Sequence, residues 1–112
     1  MIGKSTALAL CAAVALASPV RADTAVTLTL KDHRFSPAVV TLPPDQKVRI
    51  TLINQDPATE EFDSHDLRVE EVVTPMGRVS FDIGPLRPGQ YSFMGEFHAA
   101  TAQGVVKVGP NP

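Results

Sequence analysis

Two stretches, "AVTLTLK" (Ala25 to Lys31) and "KVRITLIN" (Lys47 to Asn54), alternate apolar and polar residues with a period of two. Successive side chains of a β-strand point to opposite faces, so such a run buries one face and wets the other. The other runs rich in Val, Ile, Thr and Phe are short. They are "AVVTL" (Ala38 to Leu42), "EFDSHDLRVEEV" (Glu61 to Val72), "RVSFDIG" (Arg78 to Gly84), "YSFM" (Tyr91 to Met94) and "GVVKV" (Gly104 to Val108). Pro- and Gly-containing turns such as "PPD" and "PLRPGQ" separate them, and no helical period runs through the domain. The pattern predicts an all-β, antiparallel sandwich or barrel. Phe35, Phe62, Phe81, Tyr91, Phe93, Val106 and Val108 are its expected core, and Met94 is expected to pack rather than to bind.

The N-terminus reads differently. A short positive start, Met1 to Lys4, leads into the apolar run "STALALCAAVALA", and "VRA" offers small residues at cleavage spacing. Residues 1–22 are therefore expected to be a signal peptide, cleaved before Asp23, with export to the periplasm. Residues 23–112 then form one domain of 90 residues (112 less 22), enough for one modest core. The one Cys of the chain is Cys11, inside that leader. The exported domain thus has no disulfide and no thiolate metal ligand. Leu10, not a small residue, precedes Cys11, so no lipid anchor is expected.

Charge narrows the partners. The chain has 10 basic and 12 acidic residues, and without Lys4 and Arg21 the balance is 8 against 12, a net −4. That disfavours nucleic acid and anionic membrane and is compatible with attracting cations. No nucleophile–base constellation and no phosphate-cradling loop is present.

With short turns, alternate loops of such a sandwich lie at opposite ends. The corner from His33 to Pro37, the loop "NQDPATEE" and the loop "GEFHAATAQ" then converge at one end. They bring His33, Glu60, Glu61, Glu96 and His98 together, with His65 and Asp66 a few residues down the fourth strand region. Adjacent Glu60 and Glu61 point to opposite faces, so one of the two enters a common site. Glu96 shares a face with Ser92 and Met94, and reaches the site only if the loop turns at once after Gly95. His65 is either a ligand or a partner of Asp63 or Asp66.

Phe35-x-Pro37, "VRITLIN", "LRPGQYSF", the His98 loop and Gly104 resemble the cupredoxin family over nearly all of residues 23–112. The resemblance implies a cupredoxin-like Greek-key sandwich of about seven to eight strands. It also implies a metal site at the convergent end. Cupredoxins ligate copper with two His, one Cys and often a weak axial Met. His98 matches the second His, Gly95 stands at the Cys position, Glu60 falls at the first His, and Gln103 lies near the axial position. Without the thiolate, a type-1 blue site cannot form.

"EEFDSHDL", "GPLRPGQY" and "GEFHAATAQG" resemble more specifically the periplasmic cupredoxin-like proteins of bacterial ferrous-iron uptake systems. The cupredoxin-like part of the EfeO iron-uptake proteins is a more distant likeness, and its pattern favours Glu61 over Glu60. These resemblances imply copper or iron as the bound ion, with an inner-membrane iron permease and a periplasmic iron-binding protein as partners. The expected ligands are His98, Glu61 or Glu60, Glu96, His33 and His65. The expected role is assistance in Fe(II) oxidation and hand-over. A non-redox metal carrier and a metal-free interaction module are the alternatives.

Overall fold

The alternating run that begins the domain becomes strand β1 (Thr24–Lys31), whose Leu28 and Leu30 point inward and are buried. The second run becomes β4 (Val48–Asn54), burying Val48, Ile50, Leu52 and Asn54 and turning the residues between them outward. The structure, a computed structural model, describes residues 24–110. The expected signal peptide over residues 1–22 lies outside the described residues.

The remaining strands are β2 (Arg34–Ser36), β3 (Val39–Leu42), β5 (Glu60–Ser64), β6 (Val69–Val73), β7 (Arg78–Ile83), β8 (Gly89–Gly95) and β9 (Gln103–Val108). They form two sheets, ordered β2-β1-β4-β7 and β3-β9-β8-β5-β6, and the described residues contain one 3₁₀ turn, Glu96–His98, and no α-helix. The all-β sandwich is as expected. Nine strands replace seven to eight for two local reasons: the Phe35 corner pairs with β1 as a strand of its own, and the run from Glu60 to Val73 folds back as a hairpin around His65–Arg68.

Two pairs are parallel, which the antiparallel expectation did not include: β1 with β4, and β3 with β9. The cause is a change of sheet. β2 descends beside β1, and at Pro37 the chain passes to the other sheet and continues as β3. β4 then returns to the first sheet on β1's far side and runs in β1's direction. The register Leu30↔Asn54 brings the turn after β1 and the loop after β4 to the same end. Phe62↔Gly95 adds the start of β5 and the end of β8.

Aromatic residues join the layers. The Phe62 ring lies 4.9 Å from Phe93, stacked, 4.8 Å from Phe81 and 6.0 Å from Phe35, edge-on. All four are buried, and each fully buried ring contributes about 2–3 kcal/mol by removal from water. Tyr91 is only partly buried, packed against the core with its hydroxyl donating to the Arg87 carbonyl at 2.7 Å. Met94 was expected to pack but faces outward, 41% exposed, because its strand position alternates with buried Phe93 and Gly95.

Candidate metal centre

His33 sits in the two-residue turn Asp32-His33 between β1 and β2, closed by the pair Lys31↔Arg34. Both turn residues have positive φ, 52° and 58°. A tight hairpin turn requires this, and it is costly for residues with a Cβ. Asp56 offsets that cost. Its carboxylate accepts from the Asp32 amide at 2.7 Å and from the His33 amide at 2.9 Å. Its Oδ2 also lies 3.5 Å from His33 Nδ1. Burial alone would push the Asp56 carboxyl up. The His33 and Asp32 amides and the two imidazoles outweigh it, so the group sits below its ordinary value of 3.8.

Asp56 is held by a turn of its own. The Asp56 amide donates to Asn54 Oδ1 at 3.0 Å, a side-chain-closed turn. Asn54, buried at the end of β4, donates through Nδ2 to the carbonyls of Ala58 at 2.8 Å and Thr74 at 3.1 Å. The β4–β5 loop is thereby fixed, and β5 starts with Glu60 pointing inward.

Glu60 is 1% exposed, a burial that a carboxylate tolerates only with partners. Oε1 accepts from the Glu61 amide at 2.9 Å and the Phe97 amide at 2.8 Å. Oε2 lies 2.6 Å from His98 Nδ1. His98 closes the 3₁₀ turn, and its carbonyl accepts from the Thr101 amide at 3.1 Å and the Ala102 amide at 2.9 Å. The Gly95 amide donates to the Ala102 carbonyl at 2.8 Å, which closes the loop base.

The imidazoles of His33 and His98 stack, with ring centroids 3.6 Å apart and planes within 10°. One donor atom each from His33, Glu60 and His98 lie within 4.8 Å of one another. The side chains of His33 and His98 are 40% and 30% exposed, so the group opens to solvent on its imidazole side and is closed below by Glu60. Metal bonds of about 2.0–2.2 Å place neighbouring donors about 3 Å apart, within reach of small side-chain rotations here. Two imidazoles and one carboxylate fit Cu(II), Fe(II) and Zn(II) and suit soft Cu(I) poorly.

The other expected ligands lie elsewhere. Glu61 points the opposite way from Glu60, as strand alternation requires, and meets Glu96 on the outer face. Their hydrogen bond pushes the Glu61 carboxyl above its ordinary value, and the charges of Glu96, Glu70 and Asp63 push the same way. His65 follows β5 at its far end, about 13 Å from the Glu60 end at strand rise. It lines a hollow with Asp63, Ser64, Arg68 and Glu70. Neighbouring Asp66 accepts from the Ser92 amide and hydroxyl at 3.0 and 3.1 Å. Gln103 spends its side-chain amide on the Ala99 carbonyl at 2.8 Å. Among the described residues the grouped set is thus His33, Glu60 and His98. Asp56 and Asn54, which position it, were not singled out in the sequence, although Asn-x-Asp-Pro is a turn signature.

A sequence profile of the Cupredoxin-like domain matches residues 4–108. An uncharacterised protein of Rickettsia prowazekii (strain Madrid E), RP394, is 43% identical over 83 residues, which cover 74% of this chain and 66% of that protein. The fold resembles the metal-binding domain of the Streptococcus pneumoniae D39 Cu(I)-exporting P-type ATPase CopA, with a TM-score of 0.68 and 15% identity, covering 77% of this chain and 85% of that one. It also resembles auracyanin A, a "blue" copper protein of Chloroflexus aurantiacus, with a TM-score of 0.65 and 12% identity, covering 76% and 98%. At such identities the likeness is one of fold. The profile spans most of the chain and the two-sheet fold agrees with it: the chain belongs to the cupredoxin-like domain family.

Proposed function

We propose that this chain is a periplasmic metal-binding protein of a ferrous-iron uptake system, binding copper or iron at His33, Glu60 and His98. The observation that carries the proposal is the grouping itself: a buried carboxylate and two half-exposed imidazoles at one end of the sandwich, with no thiolate in the domain. Two nitrogens, one oxygen and open positions are a ligand set used for Fe(II) and Cu(II). Carboxylate favours Fe(III) over Fe(II), so iron held here is more readily oxidised. Held by His33, Glu60 and His98, copper would supply a one-electron acceptor for Fe(II) reaching the exposed imidazole side.

The residues have separate tasks. Asp56 and the β1–β2 turn hold His33 in place. Glu60 places negative charge beneath the ion and fixes the orientation of His98. The exposed imidazole edges leave the centre accessible for delivery and transfer, to an inner-membrane permease and from a periplasmic iron-binding protein. That accessibility equally suits a non-redox carrier.

The test is aerobic Fe(II) oxidation by the purified domain, with and without one equivalent of Cu(II), followed by Fe(III) absorbance. Copper-dependent oxidation that is lost in His98→Ala supports the oxidase role. Metal binding without oxidation supports the carrier. No binding at micromolar concentration leaves the interaction module.

A further inference from the structure

Gly95 ends β8 in an ordinary extended conformation, φ −91° and ψ 113°, which any residue adopts. Its glycine is therefore not demanded by the backbone. It is demanded by space. A Cβ at this position would stand 2.7 Å from Glu60 Cδ, 2.9 Å from Glu60 Oε2 and 2.8 Å from Ala102 Cβ. All three distances are shorter than real Cβ contacts allow, and two of the three atoms belong to the buried carboxylate. The same Oε2 lies 2.6 Å from His98 Nδ1. The Glu60 carboxylate thus fills the volume that a side chain at residue 95 would take, and does so while touching His98.

Glu60 has little freedom to yield. It is 1% exposed, and its Oε1 is held by the amides of Glu61 and Phe97. Moving it leaves two part-buried amide donors without their acceptor. The backbone beneath is equally constrained, because Phe62 pairs with Gly95 and is buried against three other rings.

We infer that Glu60 and Gly95 form a single specificity-determining unit. The absence of a side chain at residue 95 admits a buried oxygen donor next to His98, and that exchange sets the centre's preference for borderline and hard ions. A side chain at residue 95 and the Glu60–His98 contact exclude each other. The consequence for metal choice rests on the centre proposed above binding metal.

A double-mutant cycle on the purified domain tests this, using Zn(II) and Cu(II) affinity by calorimetry and the His98 Nδ1 resonance of the metal-free protein by ¹⁵N NMR. Gly95→Ala is expected to weaken both ions by about tenfold or more and to move the Nδ1 resonance away from its carboxylate-bonded position. In the Glu60→Ala background, Gly95→Ala is expected to change both quantities far less, because the two carboxylate atoms it meets are gone and only the Ala102 Cβ contact remains. Glu60→Ala/Gly95→Cys places a thiol in the vacated volume and is expected to give an intense visible band with Cu(II). Gly95→Cys alone, with the carboxylate in place, is not.

Where Gly95→Ala fails to fold, the comparison of Glu60→Ala/Gly95→Cys with Glu60→Ala decides, and absence of the band overturns the inference. Unchanged affinity and an unmoved resonance in folded Gly95→Ala also overturn it. So do effects of Glu60→Ala and Gly95→Ala that simply add. Wild-type protein that takes up neither ion overturns the metal-centre reading and this inference with it. Wild-type binding with Gly95→Ala unaffected overturns this inference alone.

Discussion

At the scale of single residues, the centre depends on side chains doing unequal work. Glu60 is buried and bonded three ways, whereas His98 and His33 lie half open above it. Glu60→Gln keeps an acceptor for the two amides but removes the charge, and is expected to weaken Cu(II) by about tenfold or more in a calorimetric titration. His98→Ala is expected to weaken it further. Unchanged affinity in either removes that residue from the centre. Glu61 and Glu96 make a separate prediction. The Glu61 carboxyl is raised by Glu96, so its native form holds the proton more firmly than its unfolded form. Its contribution to stability is present below the ordinary 4.5 and lost as pH rises through the raised value. Glu96→Gln is therefore expected to return Glu61 toward its ordinary value in a ¹³C NMR titration and to leave stability at neutral pH equal or higher. The pair Glu60 and Glu61 also marks what could be read from sequence. Alternation says that one of two adjacent residues points inward, but not which, because that depends on the register of β5 against β8.

At the scale of elements, the β1–β2 turn is the part most exposed to acid. Asp56 holds two positive-φ residues through their amides, and its carboxyl is lowered in the native state. The stability it contributes is complete above the ordinary 3.8 and is lost as pH falls through the lower native value. Asp56→Asn is expected to cost about 2 kcal/mol at neutral pH by urea denaturation, since a charged double acceptor is replaced by a single neutral one. The deficit is expected to shrink below pH 4. A deficit that persists there assigns Asp56 a role other than its charge. The strands themselves were largely legible, since β1, β4 and β7 follow their sequence patterns to within a residue at each end. The splitting of Glu60–Val73 into a hairpin was not, because Arg68 turns at φ 58° without a Gly or Pro to announce it. Nor were the parallel pairs, which arise from a change of sheet at Pro37 that no local periodicity records.

At the scale of the whole molecule, one aromatic core carries both sheets and the loops above it. Phe62, buried among Phe35, Phe81 and Phe93, is next but one to Glu60, so packing and site share a strand. Phe62→Ala is expected to cost about 3–5 kcal/mol in denaturant and to weaken metal binding through displaced β5. An ion that binds only the folded form is expected to add about 2.7 kcal/mol at a hundred times its dissociation constant, seen as a rise in Tm. Convergence of the three loops at one end was legible from turn counting. That His33, rather than Glu61, Glu96 or His65, meets Glu60 and His98 was not, because the parallel β1/β4 register sets it. The most direct test of the centre is Cu(II) electron paramagnetic resonance of the purified domain with ¹⁵N-labelled imidazoles. The structure predicts one Cu(II) per chain, coupling to two imidazole nitrogens, no intense visible band, and loss of one nitrogen in each of His33→Ala and His98→Ala. A Cu(II) signal that both substitutions leave unchanged would contradict it.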